Sequence, residues 1–215
     1  RQGVGRFVYF STAHVYGAPL VGDLTEESFP QPSHPYAITH RTAEDFVLTA
    51  SRQGRIRGLV LRLSNGIGAP ADPDVDRWTL LVNDLCRQAV TKHALTLHSA
   101  GHQLRDFITM EDIGNAMAHL LTLPDIAWGD GLFNLGGGAS HSVLEMTRRI
   151  VERCDVTLGF QPPISRPEAA PGESSSQTLH YSVAKLEDIG FTPRGRIDKA
   201  LDETLLLCKA SFAAE

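Results

Sequence analysis

Two rhythms of apolar and polar positions alternate along the chain, short runs that suit strands and longer stretches with helical spacing. Phe7 to Phe10 is a run of β-branched and aromatic residues that ends in Ser11-Thr12-Ala13. Such a run reads as a central strand whose carboxyl end stops at a crevice. The segment after it carries Gly17, Pro19, Gly22, Pro30, Pro32 and Pro35, too closely spaced for a helix or an inner strand, and is expected to be a long loop. From Pro35 to Arg52 the rhythm turns helical. Ser33 stands where a cap would, proline falls in the first turn, Ala43, Phe46, Val47 and Ala50 make an apolar stripe, and Gly54 closes the helix. Gly58 to Leu63 is a second apolar strand, and it too ends in polar and flexible residues, Ser64 to Gly68. Strand, helix, strand with short links predicts a right-handed crossover and a parallel sheet.

The alternation continues. A helix from Arg77 to Val90, a strand at Leu95 to His98, a turn through Gly101, the apolar pair Phe107-Ile108 and a helix from Met110 to Leu123 follow in order, the last stopped by Pro124. Leu132 to Leu135 reads as another strand, three glycines come next, and helices are expected from Val143 to Cys154 and from Ile197 to Ala210. Gln161 to Ser176 is rich in proline, serine and glycine and reads as a loop, with Pro162 to Gln177 the one linker-like stretch. The class is α/β.

Composition narrows the partners. The 215 residues carry 20 basic and 25 acidic side chains, a net charge of -5, and no run of lysines and arginines. That leaves no electrostatic footprint for nucleic acid or an anionic membrane, so both are set aside. Cys86, Cys154 and Cys208 are far apart, odd in number and free of Cys-x-x-Cys spacing, which argues against a disulfide framework or thiolate zinc and for a reducing, cytoplasmic setting. The longest apolar runs fall far short of the roughly 20 residues that cross a bilayer, and no signal segment opens the chain, so a soluble protein is expected. The chain begins at Arg1 rather than methionine, and its first pattern is already a strand, which reads as a piece of something longer.

The residues with most chemical potential are Thr12, at the end of the first strand, and Tyr36 with His40 on the following helix. Positions i and i+4 share a helix face, so Tyr36 and His40 can point into the crevice outside the strand ends, where open parallel sheets bind ligands. A tyrosine there serves as general acid or base if positive charge lowers its pKa from near 10 toward neutrality. By spacing alone the constellation is weak, since a tyrosine in a first helical turn after a proline is most often a half-buried packing residue. Ser11 either hydrogen-bonds in the crevice or simply ends the strand. No His-Glu-x-x-His motif occurs, and His98 and His102 straddle a glycine turn, so no metal site is expected.

The pair does not stand alone. Ser11-Thr12-Ala-His-Val-Tyr16-Gly17, Tyr36 to His40, Arg62-Leu-Ser-Asn65-x-x-Gly68-Ala-Pro70, Arg105-Asp106-Phe-Ile-Thr-Met-Glu-Asp112 and Phe133-Asn134-Leu-Gly136-Gly137-Gly138 form an ordered series. That series resembles the extended short-chain dehydrogenase/reductase family, the NAD-dependent nucleotide-sugar epimerases and dehydratases, from about Arg6 to the C-terminal helix. The resemblance implies a partial Rossmann-like parallel sheet, its C-terminal half, with a smaller α+β substrate-binding subdomain. It divides the chain into 1–70, the second half of the Rossmann-like domain with the catalytic helix; 71–104, a substrate-binding segment; 105–138, a helix and strand returning to the Rossmann domain; and 139–215, a C-terminal substrate-binding subdomain.

Roles follow at matching positions. Thr12 takes the catalytic Ser/Thr position and Tyr36 that of the catalytic tyrosine, which moves a proton on a sugar hydroxyl or carbonyl while hydride passes to or from NAD or NADP. Ser11, Tyr36, His40 and Ser64 fall on segments that face the cofactor. Thr12, Asn65 and Arg105 face the nucleotide-sugar, Arg105 as a guanidinium fork on the diphosphate or else as a surface ion-pair residue. Asp112 is read as structural, a helix cap. Asn134 and its glycines are read as tight backbone packing, and Tyr181 is given no role. Two departures stand out. Lysine four residues after the family's tyrosine is here His40, which with a free pKa near 6.5 is only about a quarter protonated at pH 7. The family's first strand and its Gly-x-x-Gly-x-x-Gly phosphate turn are not in this sequence, and Gly136 to Gly138 does not replace them. Ala13-His14, in place of the Asp-Glu pair of the sugar-nucleotide 4,6-dehydratases, argues against dehydration. The expected activity is thus an NAD(P)-dependent epimerase or ketoreductase acting on a nucleotide-sugar, with the Pro35 to Arg52 helix pairing a homodimer. The competing expectation is a noncatalytic module that binds a nucleotide-sugar or a partner.

Overall fold

The computed structural model describes residues 3–75, 77–169 and 177–212. The chain runs through β1 (Arg6–Thr12), β2 (Gly22–Leu24), α1 (Pro35–Arg52), β3 (Arg57–Leu63), β4 (Asn65–Ile67), α2 (Leu81–Lys92), β5 (Leu95–Thr96) and β6 (Leu104–Thr109). It continues through α3 (Met110–Thr122), β7 (Leu132–Leu135), β8 (Ser140–Ser142), α4 (Val143–Leu158), β9 (Ile164–Ser165), β10 (Leu179–Tyr181), α5 (Ala184–Glu187) and α6 (Ile197–Phe212).

The main sheet is parallel in the order β1-β3-β7. β1 and β3 pair in register from Arg6 opposite Arg57 to Thr12 opposite Leu63, with α1 as the crossover, so both strands end at the same level. β3 pairs on its other side with β7, Val60 opposite Leu132. Among the described residues the outer edge of β1 has no partner strand. Smaller pairings surround this sheet: β2 with β10, β5 with β9, and the set β4-β6-β8, in which β6 and β8 are antiparallel.

Two large apolar cores result, beside a small cluster of Ala13, Val15, Tyr16 and Tyr181. One covers the sheet, joining Leu59, Leu61, Leu120, Trp128, Phe133 and Leu135. The other is helical, built from α2, α4 and α6 around Leu85, Cys86, Ile150, Cys154, Leu201 and Cys208. Among the described residues no helix is long and apolar enough to cross a membrane.

Several expectations are corrected in detail. The cap of α1 is His34, not Ser33: the residue before a proline is pushed into extended backbone, His34 sits at φ -144 and ψ 160, and its side chain accepts from the Ala37 N–H. Phe46 does not join the inward stripe of α1. It is 74% exposed, because the helix turns Ala37, Glu44 and Val47 inward. α2 starts at Leu81 rather than Arg77, and the strand expected to reach His98 stops at Thr96, since its partner β9 has only two residues. Gln161 to Ser176 includes that short β9, while 170–176 lie outside the described residues. Thr109, not Asp112, caps α3 by accepting from the Asp112 N–H. The Asp112 carboxylate instead accepts from the backbone N–H groups of Arg194 (2.9 Å) and Gly195 (3.1 Å), which ties α3 to the approach of α6.

Candidate active site

Because β1 and β3 end together, the residues just past them frame one crevice. Thr12 closes β1 and caps the short turn Ala13–Tyr16, its Oγ1 accepting from the His14 N–H at 3.2 Å. That leaves the hydroxyl hydrogen free to donate. Ser11 precedes it, and its buried Oγ has no partner. No hydrogen bond joins either hydroxyl to Tyr36 among the described residues. Tyr36 lies in the first turn of α1, 53% exposed, with its ring stacked on His34 (centroids 6.0 Å, 15°) and 4.4 Å from the ring of His40. His34 in turn meets His14 edge-on at 5.7 Å. His14, His34, Tyr36 and His40 thus form one continuous row of rings, and at its far end the Tyr9 phenol lies 2.8 Å from His40 Nδ1.

Burial shifts two of these rings. Desolvation holds the His40 imidazole below its usual 6.5, opposed by the carboxylate of Glu44 one turn on. His14 is lowered as well, by burial first and then by His34 and Arg105. Near pH 7 both rings are therefore mainly neutral, and His40 supplies little of the cationic field a lysine would bring. Burial, then Glu44 and Tyr36, push the Tyr9 phenol up.

Beside His14 opens a cavity of about 640 Å³, lined also by Pro19, Asn65, His102, Gln103 and Arg105. Asn65 leaves β3 on the short strand β4 and is steadied by an Nδ2 bond to the Asp106 carbonyl (2.9 Å). Arg105 is half-buried on β6, and among the described residues its guanidinium has no ion pair or hydrogen bond. Desolvation lowers its pKa. Holding a cation away from water without a partner is costly, and an anion entering the cavity removes that cost. Ser64 is half-buried next to Asp106, whose carboxyl burial pushes up while the Ser64 hydroxyl and the N–H groups of Gly137, Gly138 and Ala139 pull it back. A second hollow, about 700 Å³ on α4 and α6, holds Arg149 and Arg153, but these pair with Asp198 and Asp202 at 2.6 Å. Its charges are largely satisfied, unlike that of Arg105.

Beneath the crevice lies a polar network that pattern and spacing do not reveal. Arg62 on β3 is 1% exposed and donates twice to Glu44 of α1, at 3.0 and 2.7 Å, with the Tyr16 ring 4.7 Å away. Tyr16 donates to Asn134 Oδ1 (2.6 Å), and Tyr181 donates to the Arg62 carbonyl (2.7 Å) and to the same Asn134 oxygen (3.1 Å). Tyr181 thus has a packing role the sequence does not disclose. The available signal was Arg62 itself, a charge in the middle of an apolar strand that requires a buried partner. Burial pushes the Tyr16 phenol up to about 12, so it holds its proton throughout the neutral range. The glycines close the site from behind. A Cβ on Gly136 would stand 2.6 Å from Asp106 Oδ1, and one on Gly137 would run into the Phe107 carbonyl.

Known proteins resemble the chain in sequence and in fold. The model for the NAD dependent epimerase/dehydratase family matches residues 1–136. A dTDP-6-deoxy-L-talose 4-dehydrogenase (NAD(P)(+)) of Kitasatospora kifunensis is 29% identical over 201 residues, 92% of this chain and 61% of that protein. A UDP-glucose 4-epimerase of Azospirillum brasilense is 27% identical over 207 residues, 90% and 58% of the two chains. The chain therefore spans about three fifths of the length of these curated relatives. Among solved structures, RMD from Pseudomonas aeruginosa complexed with NADPH superposes with a TM-score of 0.78 at 22% identity, over 96% of this chain and 67% of that one, which shows a shared fold.

Proposed function

The chain belongs to the NAD-dependent epimerase/dehydratase family, and on that premise we propose that it is the larger part of an NAD(P)-dependent epimerase or ketoreductase acting on a nucleotide-sugar. The observation that carries this reading is the Arg105 guanidinium, without a partner among the described residues, sharing a cavity with Asn65 and with His14, whose ring leads through His34 to Tyr36 and His40. A bidentate cation suits a diphosphate, and the cavity volume suits a small polar ligand. The nucleotides of the relatives, dTDP and UDP, make a nucleoside diphosphate sugar the class to test.

In this reading Tyr36 exchanges a proton with a sugar hydroxyl or carbonyl, and the free hydroxyl hydrogen of Thr12 holds the reacting oxygen. NAD or NADP, when bound, supplies the hydride acceptor or donor. The buried Ser11 hydroxyl at the end of β1, without a partner among the described residues, fits such a cofactor, and the family resemblance assigns Tyr36, His40 and Ser64 to the same ligand. Bringing a phenol from near 10 to 7 requires about 4 kcal/mol of preferential phenolate stabilisation. A neutral His40 offers less of it than a lysine would. That deficit favours the second reading, a noncatalytic binding module. Residues 1–70 and 105–138 are assigned to the cofactor side, and 71–104 with 139–215 to the substrate side. The helical core, drawn mainly from Trp78 to Leu97 and Val143 to Cys208, supports the division. The exposed Ile38 and Phe46 on α1 support a homodimer through that helix.

Calorimetric titration of UDP-glucose and dTDP-glucose into the chain and its Arg105→Ala variant tests the reading. Binding that weakens about tenfold or more in the variant is expected for a lost charge-assisted contact. Equal binding by both proteins refutes the assignment of Arg105. NAD(P)-dependent turnover by the complete protein that Tyr36→Phe abolishes separates the enzyme from the module.

A further inference from the structure

We propose that Tyr9 is a positioning residue, its phenol holding His40 as the neutral tautomer with the proton on Nε2, so that Tyr36 faces a fixed, uncharged donor. The proposal rests on Tyr36 as the reacting group, the reading given above.

The geometry is specific. Tyr9 on β1 and His40 on α1 are 31 residues apart, yet Oη and Nδ1 stand at 2.8 Å, and the His40 ring is 4.4 Å from that of Tyr36. An imidazole on an open helix face exchanges freely between two tautomers, and the hydrogen bond at one nitrogen decides which atom carries the proton. A phenol is a better hydrogen-bond donor than a neutral imidazole N–H, and an unprotonated imidazole nitrogen is a better acceptor than a phenol oxygen. The favoured arrangement is Tyr9 O–H donating to Nδ1. The charged and titratable groups around the pair support it. On α1, Glu44 discourages ionisation of Tyr9, while its own carboxylate is engaged by Arg41 and, from β3, by Arg62. The rings of Tyr36 and His34 complete the surroundings. With Nδ1 occupied, Nε2–H projects from the opposite edge of the ring. The site thereby has a rigid neutral donor, held by a β-strand, where the family resemblance leads one to expect a mobile cation.

Long-range nitrogen–proton NMR of the imidazole rings in the 215-residue chain at pH 8 reads the tautomer directly, with the His40 signals assigned by their loss in His40→Gln. Wild type is expected to show a protonated Nε2 and a bare Nδ1. Tyr9→Phe, which keeps the ring and removes only the hydroxyl, is expected to give averaged values typical of exchanging tautomers within an otherwise preserved amide spectrum. A protonated Nδ1 in wild type, or His40 signals unchanged in Tyr9→Phe, overturns the proposal. In the complete protein, Tyr9→Phe is expected to lower kcat about 2- to 10-fold with KM unchanged, the scale of one hydrogen bond. It should have no effect in a His40→Lys background. An equal loss in both backgrounds also overturns it. Retained turnover in Tyr36→Phe would instead refute the catalytic reading and leave the tautomer result standing.

Discussion

Arg62 on β3 and Arg105 on β6 belong to different sheets, and their surroundings are opposite. Arg62 is sealed from water, gripped twice by Glu44 and covered by Tyr16. Arg105 is half-buried with no acceptor, facing a cavity. A charge that serves the fold is neutralised inside the fold, because leaving it bare would destabilise every molecule. Arg105 keeps its charge without an acceptor among the described residues, partly desolvated at the wall of a cavity. The same division separates Tyr16, tied to Asn134, from the exposed Tyr36.

Substitutions can break this contrast or sharpen it. The largest effect is expected from Glu44→Ala, which leaves Arg62 buried and alone. Urea unfolding should show a loss of about 3–5 kcal/mol, and a Glu44→Met, Arg62→Met double variant should recover most of it. A single-variant loss below about 1 kcal/mol would mean that Arg62 reaches water after all. Next comes Gly137→Ala, expected to lose about 1–3 kcal/mol by overpacking, since the added methyl meets the backbone carbonyl of Phe107, which has little room to yield. A smaller effect follows from pH. His14 and His40 have folded pKa values below their unfolded 6.5, so the unfolded chain takes up protons first. Stability is therefore unaffected by these groups above that pH and falls as pH drops through about 6.5 and below, and His14→Gln should flatten the decline in thermal midpoint. The smallest effect is expected at Arg105. Its replacement by alanine should change stability by no more than about 0.5 kcal/mol by urea unfolding, while removing the binding tested above.

Local patterns made part of this legible. β1 and β3 announce themselves as apolar runs with polar ends, and the Tyr36–His40 spacing places both on one helix face whatever the tertiary context. The rotation of α1 was not legible, because it depends on Glu44 meeting an arginine 18 residues away on another element. An amphipathic reading that assigns Phe46 inward and Glu44 outward is reasonable until that partner is known. The cavity is similarly long-range: His14, Asn65 and Arg105 arrive from three separate loops and strands, and only the family resemblance united Asn65 and Arg105 beforehand. His14 and Tyr9 had no such guide. Each matters through a contact, to Arg105 and His34 in one case and to His40 in the other, that no spacing rule encodes.

The two cores carry separate natural reporters. All three cysteines are buried in the helical core, where burial pushes the Cys154 and Cys208 thiols up to about 12 and raises Cys86 as well, so a thiol reagent can label them only when that core opens. Trp128 is sealed in the sheet core and Trp78 lies in the helical one, giving each an optical signal as well. Labelling kinetics followed alongside the emission of a Trp78→Phe variant would time the opening of the helical layer against that of the sheet. Matched rates would identify one cooperative unit, and faster labelling would reveal a helical layer able to breathe while the strands that carry Thr12 and Tyr9 stay closed.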